Sequence, residues 1–159
     1  MIQLNGFRPI AAGAALIAVM GLSALTVQAE EVPMYKVEQA VKYRQNVMST
    51  MGGLTGTAVG KLRDGFEFGP ALSDVAAALQ ATVADIPALF PEGTDFGETD
   101  AKAEVWSDAE GFAEKSAEAK DAAAAFAEAV ESGDKAMIMK AFRSVGESCK
   151  GCHEAYRKE

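Results

Sequence analysis

The sequence predicts an all-α protein folded as an antiparallel four-helix bundle. Three observations carry this. Beyond residue 29 the apolar residues recur with a period near 3.6. The composition is rich in Ala, Glu and Lys, without alternating β-branched runs. Glycines and prolines gather at joints that divide the chain into helical segments. A chain of 159 residues has room for one domain.

The first helix is expected from about residue 35 to about residue 60, where Val37, Val41, Met48, Met51 and Val59 share one narrow arc. Pro70 precedes a second helix, from about 71 to 86, with Leu72, Val75, Leu79, Val83 and Ile86 on one side. The third is expected from about 101 to 131, aligning Phe112, Ala119, Ala123, Phe126 and Val130. After Ser132-Gly133, Asp134 is placed to cap the fourth. Its stripe is Ile138, Phe142, Val145, Cys149, Cys152 and Tyr156. So short a turn forces the last two helices antiparallel, and four amphipathic stripes bury themselves by facing one another. Gly52, Gly56 and Gly60 form a small-residue ridge on the first helix. It suits either the close approach of another group or a weakened helix end.

The N-terminal residues do not belong to this pattern. Arg8 precedes a nearly uninterrupted apolar run from Ile10 to Leu25, and Val27-Gln28-Ala29 offers the small-x-small pattern of a signal peptidase site. Residues 1–29 are therefore expected to be a cleaved signal peptide and 30–159 the mature bundle, with an uncleaved anchor as the competing reading. The expected location is periplasmic. Loss of Arg8 moves the formal charge from −8 to −9. That acidity argues against nucleic-acid or anionic-membrane binding, and no second apolar run of spanning length follows.

An exported chain with only two cysteines, Cys149 and Cys152, has little use for a disulfide across so short a loop. With His153 they form Cys149-Lys150-Gly151-Cys152-His153, the C-x-x-C-H signature of c-type haem attachment. On a helix the three side chains fall within roughly a third of the circumference. Two thioethers and one iron ligand can thus come from a single turn. Zinc is disfavoured because His153 is the only histidine and no second half-site exists. A thioredoxin-like site would sit at a helix N-terminus beside a βαβ pattern. The expected cofactor is one haem c inside the bundle. Arg44 interrupts the apolar stripe of the first helix, where an unpaired charge is costly. It suits either pairing with a haem propionate, helped by Gln45, or snorkelling to solvent.

The stretches AVKYRQNVM, AEVWSDAEGF and VGESCKGCHEAYR, spread over most of the mature chain, resemble the class II cytochromes c, the family of cytochrome c′ and its low-spin relatives. The resemblance implies thioethers at Cys149 and Cys152, His153 as proximal ligand and Arg157 near the proximal pocket. It further implies haem contacts by Arg44, Gln45, Lys102 and Glu104. In the DIPALFPEGT loop, Ala88 stands where relatives often carry an aromatic. Met48 matches the position facing the distal side of the iron. If its sulfur binds, the site is six-coordinate His/Met and suits an electron carrier with a redox partner protein. If it only packs, the iron is five-coordinate and open to nitric oxide and similar gases. The carrier is the leading expectation and the gas binder the alternative. No acid/base pair or nucleophile constellation points to an enzyme. Relatives often pair through their first helices, which implies a homodimer.

Overall fold

The computed structural model describes residues 34–159, so the expected signal segment lies outside the described residues. Its long helices are α1 (Met34–Leu62), α2 (Leu72–Val83), α4 (Ala109–Ser132) and α5 (Lys135–Tyr156), with one additional turn, α3 (Glu104–Ser107). No helix among the described residues is long and apolar enough to cross a membrane.

Two boundaries differ from the sequence expectation, each for a local reason. The second helix ends at Val83, and Ile86–Leu89 tightens into a 3-10 turn around Pro87. Pro87 has no backbone N–H to continue an α-helix. The expected third helix divides at Asp108, whose backbone (φ −120°, ψ 56°) leaves the helical region while its side chain accepts from the Gly111 N–H. That carboxylate ends α3 and caps α4 at once. At the other end of α4, Gly133 adopts φ 70°, a left-handed geometry that glycine enters without steric cost. Asp134 Oδ1 then accepts from the N–H groups of Ala136 and Met137, the predicted N-cap.

The helices pack in the order α1, α2, α4, α5. Val75, Leu79, Phe126 and Val145 are among the most deeply buried side chains. Each contributes roughly 1.5–3 kcal/mol of transfer free energy. Ala58 is wholly buried on α1, a core position absent from the predicted arc. Four rings cross the molecule edge to face: Trp106 and Phe90 at 6.2 Å, Phe90 and Phe112 at 5.0 Å, Phe112 and Tyr156 at 5.2 Å. This chain of aromatics joins α3, the connecting loop, α4 and α5.

Among the described residues, a Cβ at Gly52 or Gly56 would find no atom within 4 Å, and one at Gly60 would meet the Phe66 ring at 3.1 Å.

Candidate functional site

α5 positions the motif. Cys149 and Cys152 lie half-buried, free of any disulfide, one helical turn apart on the stripe that Ile138, Val145 and Tyr156 bury. His153 stands at the rim and remains exposed. Burial pushes both thiols above their usual pKa, and at Cys152 the neighbouring Cys149 adds to the shift. Partial desolvation against the cavity wall, and secondarily the Arg157 cation, holds the His153 imidazole below its ordinary value. A neutral imidazole is the form that binds metal.

These three residues line a cavity of about 500 Å³ between α1 and α5. Met48, Met51, Phe90, Val105, Phe112 and Ala119 give it a largely apolar wall. Gln45 and Arg157 also reach the wall, and so does Arg44. Lys102 and Glu104 lie away from it. The Lys102 ammonium donates to the Glu154 carbonyl at 2.9 Å, and Glu104 is exposed in α3. Thr99, Asp100 and Ala101 supply that part of the wall instead. Met48 is half-buried and lines the cavity from α1. Ala88 is exposed in the 3-10 turn, so it is Phe90 that meets the cavity.

Arg44 does not snorkel: it is 3% exposed. Its guanidinium donates to Thr94 Oγ1 (2.9 Å), the Thr94 carbonyl (2.9 Å) and Thr99 Oγ1 (2.6 Å). It also lies 5.1 Å from the Phe90 ring centre and 5.6 Å from that of Trp106. Burial lowers its pKa. Gln45 donates to the Glu98 carbonyl at 3.0 Å, on the same loop.

The loop's far end is tied to α5. Lys102 N–H donates to the Tyr156 carbonyl at 2.9 Å and Lys158 N–H to the Asp100 carbonyl at 2.7 Å, forming an antiparallel bridge between Ala101 and Arg157. Arg157 also faces Asp100 at 3.6 Å. The Tyr156 hydroxyl donates to Asp108 Oδ2 at 2.8 Å. That bond, reinforced by burial and the carboxylate's charge, pushes the phenol up to about 12. The protonated phenol is the bonding form, so its contribution is complete below the ordinary tyrosine pKa of 10 and disappears as pH rises through about 12. Thermal melts of the wild type should show an alkaline loss of stability in that window. Tyr156→Phe should lack this loss; an identical alkaline profile in the variant would assign it elsewhere.

Sequence reading did not find Thr94, Thr99, Trp106 and Asp108. Asp108 had a visible signal, an N-cap residue just before an Ala-, Glu- and Lys-rich run. The threonines had none, because their partner Arg44 is fifty or more residues away in sequence.

The residues fit a covalently held porphyrin. The cavity is of ligand size and mostly apolar, two unpaired thiols lie on its wall one turn apart, and a single imidazole adjoins them. A family model described as cytochrome c′ matches residues 39–157. The cytochrome c′ of Pararhodospirillum photometricum is 35% identical over 122 residues, covering 76% of this chain and 98% of that protein. The cytochrome c′ of Alcaligenes xylosoxydans xylosoxydans is 35% identical over 125 residues, covering 78% and 97%. Among solved structures, the nitric oxide complex of a variant of cytochrome c prime from Alcaligenes xylosoxidans matches with a TM-score of 0.70 at 35% identity, covering 77% of this chain and 97% of that one. With the matched segment running from α1 through the C-x-x-C-H turn, the chain belongs to the cytochrome c′ family of class II cytochromes c and carries one covalently bound haem c.

Proposed function

We propose that this protein is a periplasmic, five-coordinate haem protein that takes up nitric oxide and similar small uncharged gases, its bundle beginning after a signal peptide of residues 1–29. Cys149 and Cys152 would hold the ring through thioethers, and His153 would ligate the iron. The bound haem supplies a redox-active iron with a coordination position open to a diatomic ligand. Met48 packs against the core as an apolar plug on the distal wall, excluding water and charged ligands while yielding to a small neutral one. Arg157 keeps the proximal side polar at the rim.

The observation that carries this reading is the likeness to a relative solved as a nitric oxide complex. It reverses the sequence expectation that put an electron carrier first. The likeness favours gas binding, and a His/Met carrier would instead need the Met48 sulfur on the iron.

Absorption spectra of the ferric and ferrous protein, with and without nitric oxide, decide between the two. High-spin ferric bands, a ferrous nitric oxide adduct and an unchanged ferric spectrum in Met48→Leu are the expected results. A methionine–iron charge-transfer band that disappears in Met48→Leu would establish the carrier instead.

A further inference from the structure

We propose that Arg44 is a positioning residue: it clamps the Phe90–Asp100 loop and thereby sets the separation of the two cavity walls that carry Met48 and His153. The inference rests on the assignment of those walls as the distal and proximal sides of the haem.

The hydrogen bonding of Arg44 is the starting point. Its guanidinium is held by two hydroxyls, a carbonyl and two aromatic faces, all contributed by residues from Phe90 to Trp106. Those partners are themselves interlocked. Thr94 Oγ1 donates to the Pro91 carbonyl at 2.7 Å, which also accepts from the Trp106 indole at 3.2 Å. Thr99 Oγ1 accepts from the Ala101 N–H at 3.1 Å as well as from Arg44. No buried side-chain N or O among the described residues lacks a partner, so removing one member strands another.

The location gives this network its consequence. Arg44 precedes Met48 by one helical turn, and both line the cavity. The clamped loop continues into the Ala101–Arg157 bridge, only four residues beyond His153. The loop therefore runs between the walls bearing Met48 and His153, held by Arg44 at Thr94 and Thr99 and by the α5 terminus at Asp100 and Lys102. Lysine cannot replace Arg44, since an ammonium cannot reach Thr94 and Thr99 together while stacking on two rings.

Thr94 separates the clamp from any direct action of Arg44 on the haem, because Thr94 is 2% exposed and stands outside the cavity wall. Haem-loaded Thr94→Val and Arg44→Lys, with Thr94→Ser as the hydroxyl-retaining control, are compared for nitric oxide association rate and for hydrogen exchange at the Thr99 and Lys102 amides. Release of the loop should accelerate association by about tenfold in Thr94→Val and Arg44→Lys, the equivalent of one buried hydrogen bond. It should speed exchange at both amides, and Thr94→Ser should behave as wild type. A native rate and native exchange in Thr94→Val, with Arg44→Lys altered, would overturn the clamp and assign Arg44 to the haem itself. Native behaviour in both variants would overturn it too. Should the wild type bind no nitric oxide, the gas-binding function falls, and exchange at the two amides alone then decides the clamp: faster exchange supports it and unchanged exchange ends it.

Discussion

Replacing both Cys149 and Cys152 with serine is expected to give a colourless chain that retains much of its helix but loses its fixed bundle packing. The reason is the cavity those thiols border. Apolar side chains around about 500 Å³ of unfilled space lose the packing partner the haem provides, a loss set against a total stability of only about 5–15 kcal/mol for an ordinary domain. The loss should be uneven. α4 and α5 keep their own caps at Asp108 and Asp134, the left-handed turn at Gly133 and the Phe126–Phe142 contact at 5.2 Å, none of which lines the cavity. α1 packs chiefly against α2 and, through Arg44, against the Phe90–Asp100 loop. Far-ultraviolet circular dichroism should therefore remain substantially helical while near-ultraviolet signals collapse. A haem-free double variant unfolding in urea at the wild-type midpoint would show that the bundle does not depend on its cofactor.

The helices and the motif were legible in the sequence because both are local. Periodicity over a few turns identifies the buried face, and Cys149, Cys152 and His153 declare their purpose by spacing alone. The predicted stripes of α2, α4 and α5 are the observed core, down to Val75, Leu79, Phe126 and Val145. What was not legible depends on contacts between distant segments. Arg44 stood out as a charge on an apolar stripe, but its partners Thr94 and Thr99 lie in a loop whose path is fixed only once α1 and α5 are placed. Thr99, Asp100 and Ala101 line the cavity, a placement that depends on the path of the connecting segment rather than on any local pattern. The division of the third helix was missed for a different reason. Glu, Val, Trp and Ser continue the helical pattern up to Asp108 and mask its N-cap on α4, which a long-range bond from Tyr156 reinforces.

That break makes Gly111→Ala destabilising, against the usual rule for glycine inside a helix. Alanine in a helix interior is normally better than glycine by about 1 kcal/mol. At Gly111, however, an added Cβ would stand 2.5 Å from Asp108 Oδ2, 2.6 Å from the Tyr156 hydroxyl and 2.9 Å from Asp108 Oδ1. Asp108 cannot retreat without giving up its cap on α4, and Tyr156 cannot move without disturbing the aromatic contact to Phe112. Overpacking costs about 1–3 kcal/mol and a lost cap about 1 kcal/mol, so the net effect is a loss of about 2 kcal/mol. Gly146→Ala is the matched comparison, because Gly146 lies inside α5 with nothing within 4 Å of an added Cβ. It should gain the ordinary 1 kcal/mol or so, leaving the two variants about 3 kcal/mol apart in denaturant titration. Gly111→Ala should also shift the nitric oxide association rate, since Tyr156 lines the cavity and its carbonyl anchors Lys102. Equal stabilisation by both alanines would mean that Asp108 and Tyr156 are free to part, and that the α4–α5 joint does not constrain the proximal wall.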